Sequence, residues 1–206
     1  MNKPIQDVWG FIQRVHEVTQ HTSGPREARK ACVDAGLEYV GSGSTAVVIE
    51  CPDDPDWVWR VSRDAKTDGG VRYLEWVRNA GYWDLPNMPE VDLCVQVRGS
   101  MAHRVRKYQT INSRTGLYPG QEYSIRDAQK VFNRAIQDGE PKNPARLEDQ
   151  NMVPVWNQGQ WVRSVLQEVF PDARVFDVHT GNTMWCSREG RIVLIDVLTR
   201  NRNIQI

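Results

Sequence analysis

Five short runs rich in β-branched and aromatic residues crowd the span from residue 37 to 110, and that crowding constrains the fold more than any other feature. The runs cover residues 37–40, 46–50, 57–62, 91–97 and 104–110, and each reads as a strand. Pro52-Asp53-Asp54-Pro55-Asp56 has the chemistry of a tight turn, and Gly99-Ser100 marks another. Strands joined by connections this short pair antiparallel. Residues 69–80 carry a helical period and stop at Gly81, so one helix is inserted between the third and fourth strands. The expected result is a five-stranded antiparallel sheet with one helix set into its order.

Helical patterns flank this region. Residues 4–19 place Ile5, Val8, Trp9, Ile12, Val15 and Val18 at helical spacing. Pro25 opens a second helix over 26–35, which stops at Gly36. After residue 110 the character changes. Residues 111–122 read as loop, and 124–138 as a helix capped by Ser124. Residues 139–155 hold three prolines and read as a loop or insert. A helix over 158–170 gathers Trp161, Val162, Val165, Leu166 and Val169 on one face. Two short strands, 183–186 and 191–196, then fold about Arg188-Glu189-Gly190. The class is α+β, in three parts: a helical segment 1–36, a sheet-bearing part 37–110, and a smaller part 111–206.

Composition narrows the function. Net charge is zero, with 26 basic and 26 acidic residues, whereas a nucleic-acid partner calls for a basic excess or stripe. The local cluster His103-Arg104-Val105-Arg106-Lys107 alternates with apolar residues like the outer face of a strand. No apolar run approaches the roughly 18 residues of a membrane span. The N-terminus lacks the apolar core of a secretory signal. A cytosolic protein without membrane or nucleic-acid partner is expected. Cys32, Cys51, Cys94 and Cys186 have no zinc-like spacing and are expected as reduced thiols. The eight tryptophans are scattered, so most are expected in a core or interface.

The strongest chemical signal lies near the C-terminus. Asp177-Val178-His179-Thr180-Gly181-Asn182 has the form D-x-H-x-G-N, and Asp196 ends the apolar run Ile192-Val193-Leu194-Ile195. The intervening hairpin folds Asn182 and Asp196 toward one spot. Phosphoryl transfer from ATP needs such a set. One carboxylate, here Asp177, orients the attacking hydroxyl and takes its proton, while an amide oxygen and a second carboxylate, Asn182 and Asp196, hold Mg2+ against the phosphates. The plain alternative is a surface Asx turn beside a strand-terminal aspartate. His179 reads first as a histidine that hydrogen-bonds the loop backbone.

A second signal is Gly41-Ser42-Gly43-Ser44-Thr45-Ala46-Val47-Val48, a G-x-G-x-x-A-x-V loop between two strands. Its glycines let a hairpin backbone lie close over a triphosphate, with Gly41, Ser42, Gly43, Ser44 and Val48 as nucleotide contacts. Alone it reads equally as an ordinary turn. The next strand, Val58-Trp59-Arg60-Val61, carries Arg60 where a kinase places lysine. The helix after it offers Glu75 as the partner of that cation. Arg60 also reads as a solvated strand residue, and Glu75 as helix surface.

Taken in order, these motifs resemble the early host-takeover serine/threonine protein kinases of short-tailed, coliphage-type podoviruses. The likeness runs from about Ala35 to Thr199. It is clearest in Ala35-Gly36-Leu37, Gly41-Ser42-Gly43, Val58-Trp59-Arg60-Val61, Leu85-Pro86-Asn87 and Phe176-Asp177-Val178-His179-Thr180-Gly181-Asn182-Thr183-Met184. The resemblance implies a protein-kinase-like two-lobe fold, with a five-stranded N-lobe sheet and a truncated helical C-lobe. It implies ATP and Mg2+ as cofactors. It also implies transfer of phosphate to the protein itself and to host transcription or RNA-processing proteins, in the host cytoplasm. The chain is expected to be a short form, without the basic shutoff region of longer members, and to dock substrates without an activation segment.

The sequence departs from the family pattern at three places. Arg60 replaces lysine, and its planar fork does not reach phosphates as a point ammonium does. Val175 stands where kinases place a histidine, and Val197-Leu198 follows Asp196 in place of Phe-Gly. Two other functions therefore stay open. One is a pseudokinase-like protein that inhibits a host factor without chemistry, which Arg60 favours. The other is a small-molecule phosphotransferase, which shares the D-x-H-x-x-N pattern but commonly encloses its substrate in a large helical lobe.

Overall fold

The computed structural model describes residues 7–81, 85–138, 150–173 and 176–198. They are α+β, with five α-helices, a five-stranded antiparallel sheet and a three-stranded sheet. They fall into two compact units, one of 7–81 with 89–107, the other of 85–88, 108–138, 150–173 and 176–198.

In the first unit, α1 (Val8–Thr19) and α2 (Pro25–Asp34) precede β1 (Tyr39–Ser42), β2 (Ala46–Glu50) and β3 (Trp57–Ser62). Then come α3 (Gly69–Asn79), β4 (Val91–Val97) and β5 (Ser100–Arg106). The strand order is β1-β2-β3-β5-β4, so the β4–β5 hairpin returns its second strand to β3. One face of the sheet presents Val47, Ile49, Trp59, Val61 and Ala102 to Ile12, Val15, Cys32 and Leu37 in a single buried cluster. Fully burying a side chain such as Ile12 contributes about 1.5–3 kcal/mol. The two N-terminal helices are thus built into the core of the sheet. α3 is capped by Asp68, whose carboxylate accepts from the Gly70 N–H at 2.9 Å. It buries Val71, Tyr73, Leu74 and Val77.

In the second unit, β6 (Gln109–Thr110), β7 (Thr183–Cys186) and β8 (Arg191–Leu194) form the smaller sheet in that order, beside α4 (Ile125–Asp138) and α5 (Val153–Val169). The expected strand 104–110 is therefore split. It leaves the first sheet where the Lys107 N–H bonds the Asp56 carbonyl at 2.8 Å, and Gln109 and Thr110 pair with Trp185 and Met184. A continuous alternating run cannot specify which strand its later residues join.

Ser124 caps α4 as expected, its Oγ accepting from the Asp127 N–H at 3.1 Å. α5 begins at Val153, five residues before the expected position 158, because Pro154 is accommodated in its first turn and does not break it. Of the rest of the expected loop, Gln150–Met152 form one 3₁₀ turn leading into α5, and 139–149 lie outside the described residues. The two helices approach closely at Gly159. A Cβ there would come within 2.6 Å of the Ala135 Cβ and 2.8 Å of the Phe132 carbonyl oxygen. Gln160 and Arg163 of α5 donate to the carbonyls of Ala135, Ile136 and Gln137, which α4 cannot satisfy by itself at its end.

Asn87 ties residues 85–88 to β8. Its Nδ2 donates to the Ile192 carbonyl at 2.7 Å, and its carbonyl accepts from the Leu194 N–H at 2.9 Å. It does so at φ 71°, a left-handed backbone that asparagine tolerates better than most residues.

All four cysteines are free. Trp59, Trp156 and Trp185 are buried and Trp57 and Trp76 half-buried, as expected of most tryptophans, while Trp9 and Trp161 are exposed. No described helix is long and apolar enough to cross a membrane.

Candidate functional site

The loop Asp177–Asn182 is closed by its own side chains. Asn182 Nδ2 donates to the Asp177 carbonyl at 2.6 Å, and the Asn182 N–H bonds the His179 carbonyl at 2.9 Å. His179 Nδ1 accepts from the Gly181 N–H at 2.9 Å, the backbone role expected of it. The ring folds over Gly181 so closely that a Cβ there would stand 2.9 Å from His179 Cε1, which explains a glycine at that position. With Nδ1 accepting, the neutral ring carries its proton on Nε2, 3.9 Å from Asp177 Oδ1.

The segment after β8 brings Asp196 to this loop. The Ile195 N–H donates to the Asn182 carbonyl at 2.8 Å, and the Asp177 N–H donates to the Val197 carbonyl at 2.8 Å. The residues either side of Asp196 are thus bonded to the two ends of the loop. Asp177 and Asn182, nineteen and fourteen residues before Asp196 in sequence, gather with it at one end of the β7–β8 hairpin.

The donor set fits magnesium. The Asn182 amide spends its nitrogen on the Asp177 carbonyl, which turns Oδ1 the other way, and Asp196 adds a carboxylate. Both are hard oxygen donors. Magnesium commonly takes one or two protein groups and completes its shell with phosphate and water. Among the described residues no three His, Cys, Asp or Glu side chains cluster as a metal site, and a site of this kind needs no such cluster.

The first unit carries a second constellation. Paired residues on antiparallel strands face the same side of the sheet. Gly41 pairs with Val48, Val48 with Arg60, Arg60 with His103, and His103 with Cys94, one row across all five strands. Gly41, Val48 and Arg60, chosen from sequence, therefore share one face, opposite the one covered by α1 and α2. The glycine loop at the end of this row is tight. The Gly43 N–H bonds the Ala46 carbonyl at 3.0 Å, and Arg63 donates to the carbonyls of Gly43 and Ser44 at 3.1 and 3.0 Å. Ser42 is half-buried, while Gly43 and Ser44 are exposed.

Arg60 departs from expectation. It is only 9% exposed, and its fork meets Asp68, with Nη1 at 2.8 Å from Oδ2 and Nη2 at 2.9 Å from Oδ1. The expected partner, Glu75, lies seven residues farther along the chain, about 10 Å at the rise of a helix. Its charge, after burial, helps push up the Cys94 thiol. Asp68 stands at the helix start, next to the end of β3, and so is the carboxylate that Arg60 engages. Burial pushes the Asp68 carboxyl up, but the Arg60 guanidinium and the Gly70 N–H outweigh it and hold the group below its ordinary value.

His103 is fully buried, and among the described residues neither ring nitrogen has a hydrogen-bond partner. Burial, then repulsion from Arg60, pushes its pKa down to about 3, with Asp68 opposing and Arg78 assisting. The unfolded chain takes up this proton near pH 6.5, so below that pH the unfolded state holds more protons and stability falls. The contribution is complete above pH 6.5 and is lost as pH drops toward 3, at up to about 1.4 kcal/mol per pH unit. Asp68, whose value is lowered, adds a loss only below about pH 4. Denaturant titrations at pH 7 and pH 5 are expected to differ by roughly 2 kcal/mol in wild type. In His103→Leu most of that difference should vanish. An equal difference in the variant would assign the acid sensitivity elsewhere.

No protein-family model matches the chain, and no curated protein matches it.

Proposed function

We propose that the chain is an ATP-dependent phosphotransferase acting on protein serine or threonine hydroxyls, of the phage host-takeover kinase kind, with a kinase-like two-lobe fold. The observation that supports this most is the bonding of Ile195 and Val197 to Asn182 and Asp177, which brings the Asp196 segment to the loop that carries those two residues. The glycine loop, the Arg60 strand and α3 follow in the order a kinase uses. Asp177, with its side chain half exposed, takes the proton from the attacking hydroxyl. The hydroxyl oxygen forms the new bond to the γ-phosphorus as the bond to the β–γ bridging oxygen breaks, and ADP leaves. The Gly41–Ser44 loop lies close over the phosphates. Magnesium at Asn182 and Asp196 supplies charge neutralisation. By resemblance the targets are host transcription or RNA-processing proteins in the host cytoplasm, with no direct nucleic-acid or membrane partner.

One observation favours a different reading. Arg60 is buried against Asp68, its charge already met within the first unit, which suits a pseudokinase-like protein that inhibits a host factor by binding alone.

Incubation with γ-labelled ATP and magnesium, with and without host lysate, separates the two. Label on the chain or on lysate proteins is expected, and wild-type protein that neither binds ATP nor transfers label would leave only the binding reading. Asp196→Asn is expected to weaken ATP binding with magnesium by about tenfold or more and to leave magnesium-free binding nearly unchanged, because a carboxylate ligand acts through the metal. Equal weakening in both conditions would make Asp196 structural.

A further inference from the structure

The loop that carries Asp177 and Asn182 rests on one face of α4. Gln129, Asn133 and Gln137 stand four residues apart, and positions four apart on a helix lie on one side. Gln129 is fully buried. Its Nε2 donates to the Thr183 carbonyl and to Thr183 Oγ1, each at 2.9 Å, and to the Thr180 carbonyl at 3.2 Å. Gln137, two turns on, donates to the Val178 carbonyl. Thr183 Oγ1 in turn bonds the His179 carbonyl at 3.2 Å. Every second residue from Val178 to Thr180, and then Thr183, thus has its carbonyl held by an α4 amide, and the span between them is the D-x-H-x-G-N turn. A hydrophobic core needs none of these side chains, and a buried amide that makes three contacts to one loop is costly to leave unpaired.

α4 is itself fixed, since α5 caps its last carbonyls and meets it at Gly159. We infer that Gln129 and Gln137 are positioning residues, and that through them α4 sets where the Asp177 carboxylate and the Asn182 amide oxygen point. This rests on the phosphotransferase reading for its consequence in rate, but the placement of the loop is testable without it. Displacing a catalytic group by about 1 Å costs on the order of 10²-fold in rate.

Gln137 is exposed, so its variants should fold. The test compares wild type, Gln137→Leu, Gln137→Lys and Gln129→Leu. It reads thermal melting, amide exchange at Gly181 and Asn182, and kcat and KM for ATP. Gln137→Leu is expected to melt as wild type does and to exchange those two amides about tenfold faster. It should lose about tenfold in kcat with little change in KM, because the ATP contacts of the glycine loop are untouched. Gln137→Lys restores a donor to the Val178 carbonyl and is expected to recover most of both effects. Gln129→Leu should show larger changes of the same kind, and if it fails to fold the Gln137 pair still decides. Wild-type exchange and wild-type kcat in Gln137→Leu would overturn the inference and leave the phosphotransferase reading intact. Faster exchange in a protein whose wild type transfers no phosphate would overturn that reading and leave the loop-positioning role standing.

Discussion

If the chain is a phosphotransferase, Asp177→Asn is expected to fold and to bind nucleotide as the wild type does while transferring phosphate about 10²–10⁴-fold more slowly. The substitution keeps the shape of the side chain and removes only its ability to take a proton. The loop does not depend on the carboxylate. It is the Asp177 backbone N–H that bonds Val197, and the Asp177 carbonyl that accepts from Asn182 Nδ2. His179 Nε2 lies 3.9 Å from the side chain, beyond a hydrogen bond. A fall in kcat with unchanged melting and unchanged ATP affinity is the signature of a lost base. Wild-type self-phosphorylation in this variant would remove Asp177 from that role. A loss matched by equal loosening of the loop would make the residue structural.

The architecture was legible in the sequence wherever it depended on local chemistry. The first four strands were readable to within about two residues of their ends, because their apolar and β-branched residues are bounded by Gly, Pro and Asp turns. Ser124 announced α4 by the same local logic. What remained hidden depended on partners distant in sequence. Nothing in the run 104–110 says that Gln109 and Thr110 pair with a strand more than seventy residues later. Nothing in Gln129 says that its amide meets Thr183, since a glutamine on an amphipathic helix reads as polar surface until the loop is placed on it.

The site divided along the same line. That Asp177, Asn182 and Asp196 come together was readable because a hairpin of known length returns the chain to its start. The partner of Arg60 was not, because two carboxylates, Asp68 and Glu75, follow it on one helix, and helical period alone does not say which end of that helix lies by β3. A signal for Asp68 was present in Asp68-Gly69-Gly70, where an aspartate at a helix start marks a cap, but a cap reads as local and not as the counterion of a neighbouring strand.

The Arg60–Asp68 pair is where the largest change in stability is expected. Both side chains are buried, at 11% and 1% exposure, and the contact is bidentate. Removing one partner of such a pair strands the other charge without water, which costs about 3–5 kcal/mol, whereas replacing both by apolar groups of similar size is often close to neutral. Asp68→Asn is therefore expected to lose stability on that scale even though asparagine also caps helices well. Arg60→Met and Asp68→Leu should each lose a similar amount, and the double variant Arg60→Met/Asp68→Leu much less than those two summed. Four denaturant titrations close this cycle, and additive losses would show that the pair is not coupled in the folded state. The sign with pH follows from the depressed Asp68 carboxyl. Its contribution is complete above about pH 4 and disappears as pH falls below that, so the gap between wild type and Asp68→Asn should narrow in acid. Arg60→Lys then separates stability from function. A lysine keeps the charge but loses the fork, so some stability should be lost in either reading. If the chain is a kinase, phosphoryl transfer should survive in this variant and drop sharply in Arg60→Met, because the phosphates need a cation on β3. If Arg60 serves only to hold Asp68 at the head of α3, inhibition of the host will follow the melting temperature across all these variants, and no variant will transfer phosphate.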